Sequence, residues 1–173
     1  DEGVTWYGWE SVNVDPAVTS LYTAGLNQNY GQLGLNNKTN YSSPTQIPGN
    51  VAWDGENSLS GKGFKNTIMV KRTDGTLWSW GHNDNGQLGH NNITDYSSPT
   101  QIPGTTWSLA MGAGEFSAAV KTDGTLWMWG KQYRGSLGQN EGPTIQYSSP
   151  VQIPGTTWNQ DASKCNGITQ EIA

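Results

Sequence analysis

Alternating side chains along short stretches of the chain predict β-strands. In the stretch that ends at Gly130, Leu126 and Met128 alternate with Trp127 and Trp129. Successive residues of a strand point to opposite faces of its sheet, so this strand carries two large rings on one face and two smaller apolar side chains on the other. Such a sheet packs well on copies of itself, large face against small face. No stretch shows a sustained apolar period of 3.6 residues, and we therefore expect almost no helix.

A second stretch repeats this pattern, and a third repeats it more weakly. Trp78 and Trp80 occupy the ring positions of the strand that ends at Gly81. Tyr22 and Ala24 occupy the same positions in the first stretch. The sequence thus predicts three related sheets, of which the first is the least regular.

Asp-Gly pairs precede the two stronger strands. Asp74-Gly75 and Asp123-Gly124 each lie between two strand-like runs. This arrangement predicts the tips of β-hairpins, because glycine accepts the positive φ that a tight turn requires. Two carboxylates are also candidates for acid–base catalysis. The turn interpretation accounts for both without a catalytic role.

The chain is dominated by one repeated segment. Its copies run from Leu21 to Gly49, from Leu77 to Gly104 and from Leu126 to Gly155. A period of about 50 residues with several short strands per unit is typical of propeller blades rather than of helical repeats. We predict a single all-β domain over residues 1–173, with units at approximately 1–53, 54–107 and 108–158 and a degenerate tail at 159–173.

Each aromatic strand is followed by a loop in which two glycines frame a leucine. The three loops are Gly31-Gln32-Leu33-Gly34, Gly86-Gln87-Leu88-Gly89 and Gly135-Ser136-Leu137-Gly138. They predict tight turns that hold the leucine under the edge of the sheet. A phosphate-binding loop would need a lysine and a following helix, which the pattern lacks. A Ser-Ser-Pro sequence then begins the next extended segment.

Composition narrows the classes of function. Charged residues make up only 13% of the chain, and nine Trp and 23 Gly predict an aromatic, glycine-packed core. The net charge is −5 and the longest basic run is Lys71-Arg72, so we do not expect nucleic acid as a partner. No apolar run has the length of a membrane span. The single cysteine, Cys165, excludes an intrachain disulfide and leaves the redox compartment open.

Candidate chemical groups are few. His82 and His90 are the only histidines; we interpret them as solvated loop residues, because no Cys, His or Asp cluster accompanies them in the sequence. Glu115 and Glu141 are isolated acids that we assign to the surface. The sequence therefore predicts no catalytic, metal or cofactor site. The Asn-X-Ser/Thr sequons at Asn37, Asn40 and Asn92 are interpreted mainly as chance in an Asn- and Thr-rich chain.

The order of these elements resembles that of the RCC1-like (regulator of chromosome condensation) repeats. That family's pattern joins an Asp-Gly turn, an aromatic strand ending in Trp-Gly, an N-x-x-G-Q-L-G loop and a later proline followed by Ile or Val. The segments Thr73 to Gly89 and Thr122 to Gly138 match it well, and Leu21 to Gly34 matches it more loosely. The resemblance covers roughly residues 20–158. It implies a β-propeller of four-stranded antiparallel blades, sevenfold in the best-known members.

This chain departs from the family pattern in two ways. The repeat histidine of the family is replaced by Asn66 after Gly63 and by Ser117 after Gly114. Three units also do not close a sevenfold ring, so we expect a partial propeller, or one completed by further chain, by copies of the chain or by another protein. The amino-acid sequences of the loops resemble the RCC1-like repeats of bacterial and bacteriophage proteins more than those of nuclear proteins.

Three classes of function remain. The first, which we favour, is a non-enzymatic binding or structural module that contacts proteins or surface glycans, such as a virion fibre or appendage or a cell-surface component, which places it in the virion or outside the cell. The second is a regulatory propeller, because the family includes an exchange factor for a small GTPase and a secreted enzyme inhibitor. The third is an enzyme, for which the sequence offers no active site.

Overall fold

The structure is a computed structural model that describes residues 20–49, 51–54, 66–112, 114–140, 142 and 145–158. The expectations for the tail at 159–173, for Cys165 and for Glu141 lie outside these residues. Within them, the chain is all β, as predicted. No helix long and apolar enough to cross a membrane occurs in the part of the chain that the structure describes.

In the described residues, nine strands form three separate antiparallel sheets. They are β1 Tyr22–Gly25, β2 Tyr41–Gln46, β3 Thr67–Lys71, β4 Leu77–Gly81, β5 Tyr96–Gln101, β6 Trp107–Gly112, β7 Phe116–Lys121, β8 Leu126–Lys131 and β9 Gln146–Gln152. The strand orders are β1-β2, β3-β4-β5 and β6-β7-β8-β9. We call these sheets the first, middle and third blade.

Among the described residues only the third blade has the four strands that the family resemblance implies. In the middle blade a single antiparallel bridge joins Trp53 to Arg72. The equivalent pair in the third blade, Trp107 and Lys121, opens a full ladder between β6 and β7. Trp53 therefore has the same relation to the middle blade as Trp107 has to the third.

The predicted unit boundaries near residues 53 and 107 fall at two tryptophans that pair with the sheet that follows them. Each tryptophan follows a Gln-Ile-Pro-Gly turn, and the chain crosses to the next blade at that turn. The division of the chain into three units stays a prediction.

The blades pack large face against small face, in agreement with the alternation of side chains. Trp80 and Val70 of the middle blade lie in one apolar cluster with Leu33 and Ile47 of the first segment. In the next interface, the middle blade supplies Met69, Leu77 and Ile102, and the third blade supplies Trp107, Ala110, Ala119 and Trp129. The small-side-chain face of the third blade carries Leu126 and Met128, which pack with Leu137 and Ile153 of the same blade.

The Asp-Gly pairs form the hairpin tips that the sequence predicts. Gly75 and Gly124 have φ values of 79° and 80°, and the strands on either side of each pair are antiparallel. Gly81 and Gly130, at the ends of the aromatic stretches, have a different structural role. A Cβ on Gly81 or Gly130 would collide with the backbone of Asn66 or Glu115, so these positions require the close approach that only glycine allows.

Candidate functional site

The loops that join β1 to β2, β4 to β5 and β8 to β9 leave the same end of each blade, and we call them the rim loops. One buried side-chain amide organises each of them. In the middle loop, Asn83 accepts a hydrogen bond from the backbone N–H of Leu88 at 2.9 Å and donates to the carbonyls of Asn92 and Thr94 at 3.0 and 2.9 Å. A buried amide that lost these partners would destabilise the fold, so the loop is held in one shape.

The same device recurs in the other two rim loops. Asn27 accepts from the N–H of Leu33 at 2.8 Å, and Gln132 accepts from the N–H of Leu137 at 2.8 Å. The three leucines are buried, as the glycine-framed pattern predicts. Each of the three amides is buried, because the loop that it organises encloses it.

The sequon asparagines also serve the rim loops. Asn37 donates to the Leu35 carbonyl at 3.0 Å and to the Tyr41 hydroxyl at 3.1 Å. Asn92 makes the equivalent pair of bonds to His90 and Tyr96. Asn40 accepts from the backbone N–H of Asn27 at 2.7 Å. These amides have structural partners, which agrees with the interpretation of the sequons as chance.

Each rim loop contains a segment that we call the clasp, and in the first two loops it contacts the following blade. The clasps are residues 31–36, 86–91 and 135–140. The N–H of Asn36 donates to the carbonyl of Ser97 at 2.7 Å, and the N–H of Asn91 donates to that of Ser148 at 2.6 Å. The indole N–H of Trp129 donates to the Gln87 carbonyl at 2.9 Å. The first two clasps thus join successive blades through repeated hydrogen bonds.

Both positions at which the family histidine is replaced lie at these interfaces, but they are not equivalent to each other. The Ser117 hydroxyl is buried and donates to the Gln87 carbonyl at 2.8 Å. Asn66 has the structural position of Glu115. The backbone carbonyl of each accepts from the N–H of the residue after the strand glycine, which is His82 in one case and Lys131 in the other. In the sequence Asn66 and Ser117 each follow a glycine by three positions, and this equal spacing does not show that they occupy different positions in their blades.

The hairpin aspartates each hold a short chain of hydrogen bonds. Asp74 accepts from the N–H and hydroxyl of Thr76 at 2.9 and 2.6 Å, and that hydroxyl accepts from the indole of Trp78 at 2.8 Å. Asp123 repeats the arrangement with Thr125 and Trp127. The hydroxyl hydrogen bonds, followed by the backbone ones, hold the pKa of both carboxyls below the ordinary value. These acids are fixed turn residues with lowered pKa, unsuited to a general base near neutral pH.

A cation lies beside the tryptophans of each later blade. The Arg72 guanidinium carbon is 3.6 Å from the centre of the Trp78 ring, and the Lys121 ammonium is 4.5 Å from that of Trp127. Burial lowers the pKa of Arg72 and outweighs the opposing effect of the Asp74 charge. A groove of about 320 Å³ lies here between the first and middle blades. Its lining residues are Gly34, Asn36, Pro48, Trp53, Arg72, Trp78, Ser98 and Pro99.

The interpretation of His82 as a solvated loop residue is wrong. Its side chain is 13% exposed, its ring lies 4.2 Å from that of Tyr30, and its Nε2 is 2.9 Å from Asp84, off the line of a hydrogen bond. His82, Asp84 and Asp95 bring three potential metal ligands within 4.8 Å of one another. The sequence showed the two acids but gave no sign that the loop folds them onto the histidine.

The hydrogen bonds around His82 do not suit a metal ion. The N–H of Asn85 donates to Gln87 Oε1 at 2.8 Å, which fixes the direction of that amide. Gln87 Nε2 then donates to His82 Nδ1 at 3.2 Å, so the neutral ring carries its hydrogen on Nε2. A metal ligand needs a lone pair at the atom that faces the ion. We therefore assign no metal to this cluster.

His90 is half-buried rather than solvated, and it lies beside a buried serine. Its Nε2 is 2.9 Å from the Ser79 hydroxyl, which itself donates to the Leu88 carbonyl at 2.7 Å. A nucleophilic serine must give its hydrogen to the histidine. Here the hydroxyl hydrogen belongs to a carbonyl, so His90 is the donor and the serine is not activated. Burial lowers the pKa of His90, because the charged ring would lose hydration.

The remaining sequence candidates add no chemistry among the described residues. Glu115 is not isolated, since it pairs with Lys131 at 3.4 Å. What the rim loops do expose is apolar surface. Leu26, Ile93 and Tyr133 are 66%, 62% and 54% exposed, one on each of three successive loops.

Comparison with known proteins identifies the repeat. The sequence profile of the Regulator of chromosome condensation (RCC1) repeat matches residues 20–53 and 74–120. The chain is 47% identical over 36 residues to the Protein RCC2 homolog of Danio rerio, and 34% identical over 55 residues to Protein RCC2 of Homo sapiens. These alignments cover 21% and 32% of this chain, and 7% and 10% of the relatives.

Solved structures share the fold. Human WBSCR16 superimposes with a TM-score of 0.64 at 24% identity, over 80% of this chain and 34% of that one. Prp20p of Saccharomyces cerevisiae gives 0.63 at 20% identity, over 79% and 34%. The structure of Kap60 bound to yeast RCC1 (Prp20) gives 0.60 at 22% identity, over 79% and 33%. The chain thus folds as β-propeller blades like those of these structures, and residues 20–53 and 74–120 resemble the RCC1 repeat. It spans about a third of these structures and a tenth or less of the curated relatives.

Proposed function

Because the chain folds as RCC1-like propeller blades, we propose that it is a non-enzymatic binding module whose rim loops contact another protein. The observation that carries this proposal is the exposure of one large apolar side chain on each rim loop, Leu26, Ile93 and Tyr133, while a buried amide fixes the loop. Exposed apolar groups on a rigid scaffold are typical of an interaction surface.

Rigidity favours binding at this surface. Association loses less free energy when the contacting side chains are already ordered. The loop backbones are fixed by Asn27, Asn83 and Gln132, and the Arg134 guanidinium lies 5.2 Å from the centre of the Tyr133 ring. Aromatic residues and arginine are the side chains most often found at the energetic centre of an interface. We therefore place the centre of the contact at Tyr133 and Arg134.

The chemistry of the partner follows from charge and from the relatives. The net charge of −5 favours a neutral or basic partner surface. The related Prp20p is described by its binding to Gsp1p and histones, and yeast RCC1 (Prp20) by its complex with Kap60. Binding of proteins by structures of this fold supports a protein ligand here. Further copies of this chain form a second class of protein partner.

We further propose that the module acts outside the cell or in a virion, as a fibre, appendage or cell-surface component, with surface glycan as a second ligand class. Two observations support this location. The loop sequences resemble bacteriophage and bacterial repeats, and the Asn- and Thr-rich loops carry little charge. The alternative is a regulatory propeller that modulates a small GTPase or an enzyme. The protein partners of the structural relatives favour that alternative as the second candidate.

The test compares the wild type with a rim variant that carries Leu26→Ser, Ile93→Ser and Tyr133→Ser. Three probes separate the candidates: purified core histones as a basic protein, a small GTPase loaded with fluorescent nucleotide, and a glycan array. We expect protein binding by the wild type, at least tenfold weaker binding by the rim variant, and equal melting temperatures. Accelerated nucleotide release would favour the regulatory candidate. Binding that is unchanged in the rim variant, or no binding to any probe, would contradict the proposal.

A further inference from the structure

The third clasp has the same shape as the two that grip a following blade. Asn36, Asn91 and Asn140 end the three clasps with left-handed φ values of 56°, 58° and 54°. The leading glycines, Gly31, Gly86 and Gly135, have φ values of 72°, 72° and 85°. Asparagine is one of the few residues besides glycine that adopt positive φ readily. In the third clasp that backbone is formed although no described residue occupies the position of a following blade.

The two filled clasps hold the same short sequence, Tyr-Ser-Ser-Pro. Asn36 binds the carbonyl of Ser97, in β5, and Asn91 binds that of Ser148, in β9. The leading glycine lies against the strand so closely that a Cβ on Gly86 would be 2.6 Å from the Cα of Ser148. A Cβ on Gly135 would meet no atom of the described residues within 4 Å. The third clasp therefore has the space in which such a strand would lie.

A third Tyr-Ser-Ser-Pro sequence lies at the opposite end of the described blades. It begins β2 at residues 41–44, where Ser42, Ser43 and Pro44 are exposed, whereas their counterparts in β5 and β9 are half-buried. The described part of the chain thus carries three clasps and three such strands, of which two pairs are engaged. One open clasp and one exposed strand remain, at opposite ends.

We infer that the open clasp of the third blade docks the β2 strand of a second copy of this chain. The inference names one partner of the binding module proposed above, but it uses the clasp and not the exposed rim-loop side chains. In the docked state the N–H of Asn140 donates to the carbonyl of the second copy's Ser42, as Asn36 and Asn91 do within one chain. Because the two surfaces differ, the contact is head-to-tail.

The docking surface extends to Trp158. Its backbone N–H donates to the Gly124 carbonyl at 3.1 Å, as the N–H of Trp107 donates to that of Gly75 at 3.0 Å. Trp107 is 2% exposed because the rings of its blade cover it, whereas Trp158 is 41% exposed. On the first blade the counterpart of the covering ring Trp127 is Tyr22, which is also exposed. Docking of the second copy brings Tyr22 over Trp158.

The residue at position 24 makes this contact between copies weaker than the contacts between blades of one chain. Ala24 stands where Trp80 and Trp129 donate an indole hydrogen bond to the preceding clasp. The docked copy therefore lacks that bond and the area of the ring. We expect association in the micromolar to millimolar range, and we expect Ala24→Trp to strengthen it.

The experiment is sedimentation equilibrium of the full chain over a wide range of concentration, with three variants. Gly135→Asn fills the open clasp, and asparagine is a residue that tolerates positive φ. Gly142→Asn is the matched control, because its surroundings are equally open. Ser42→Trp blocks the exposed strand and serves as a second test if Gly135→Asn does not fold.

We expect the mean mass of the wild type and of Gly142→Asn to rise above 18.7 kDa with concentration. Gly135→Asn and Ser42→Trp should remain monomeric while they melt at the wild-type temperature, and Ala24→Trp should associate at concentrations at least tenfold lower. The rim variant should associate like the wild type, so a failure of rim binding does not affect this test. A wild type that stays monomeric at every concentration, or association that survives in both blocking variants, would overturn the inference.

Discussion

The indole Nε1 of Trp129 lies 2.9 Å from the carbonyl oxygen of Gln87, across the boundary between the third and middle blades. Trp80 makes the same bond to Gln32 at 3.0 Å, one blade earlier. Each aromatic strand therefore contributes a buried ring to the interface and also a hydrogen bond to the clasp in front of it. This double contact explains why a chain with few aliphatic residues can hold its blades together.

Truncation of Trp129 should be among the most damaging changes to the fold. We predict that Trp129→Ala lowers the free energy of unfolding by about 3–5 kcal/mol, because a fully buried indole leaves a large cavity. Urea denaturation measures this loss. Trp158→Ala is the control and should cost less than about 1 kcal/mol, since a side chain exposed at the surface loses little packing. Equal losses for the two variants would contradict the interblade position of Trp129.

The hairpin aspartates should make the fold sensitive to acid. Hydrogen bonds from Thr76 and Thr125 lower the pKa of Asp74 and Asp123 in the folded state. The two ionised carboxylates therefore stabilise the fold fully above the unfolded pKa of 3.8. This stabilisation is lost as the pH falls through the lower pKa values of the folded state. Asn at both positions keeps the acceptor oxygen without the titration. We predict that the double Asp→Asn variant loses less stability than the wild type between neutral pH and pH 2, measured by denaturant titration.

His90 should add a separate pH dependence at milder acidity. Burial lowers its folded pKa below the ordinary 6.5, so the unfolded chain binds the proton more readily. With respect to His90, the free energy of unfolding is then highest above pH 6.5, and it falls as the pH drops from there towards the pKa of the folded state. We predict that His90→Gln, which copies the Gln139 of the third clasp, flattens the stability profile between pH 7 and pH 5. An unchanged slope in that interval would show that His90 is not the group responsible.

The acidic cluster around His82 should not depend on metal. Because Gln87 fixes the hydrogen of His82 on the atom that faces Asp84, we predict that neither zinc nor a chelator changes the melting temperature of the protein. Differential scanning fluorimetry with and without zinc is sufficient. A rise in melting temperature that disappears in Asp95→Asn would show that the cluster binds the ion.

Local signals were sufficient to predict the strands and turns. The pair Asp123-Gly124 determines a hairpin through the residues beside it, and the alternation that ends in Trp129 determines which face is buried. Both depend on neighbours in sequence, and these can be read from one strand at a time. The buried leucines of the rim loops were predicted for the same reason.

The clasp could not be predicted, because its partners lie in the next unit of the repeat. Nothing near Gly86 shows that its hydrogen atom faces Ser148, and nothing near Asn83 shows that its amide is enclosed. The histidines were misjudged for a related reason, since Ser79 and Tyr96 approach His90 only after the loop has folded.

The central claim is that successive blades are joined by indole hydrogen bonds to the preceding clasp. Hydrogen exchange of the tryptophan indole N–H groups, followed by heteronuclear NMR, tests it most directly, since protected groups exchange only when the structure opens. We predict that the indoles of Trp80 and Trp129 exchange far more slowly than that of Trp158. Indoles of Trp80 and Trp129 that exchange as fast as that of Trp158 would contradict the account.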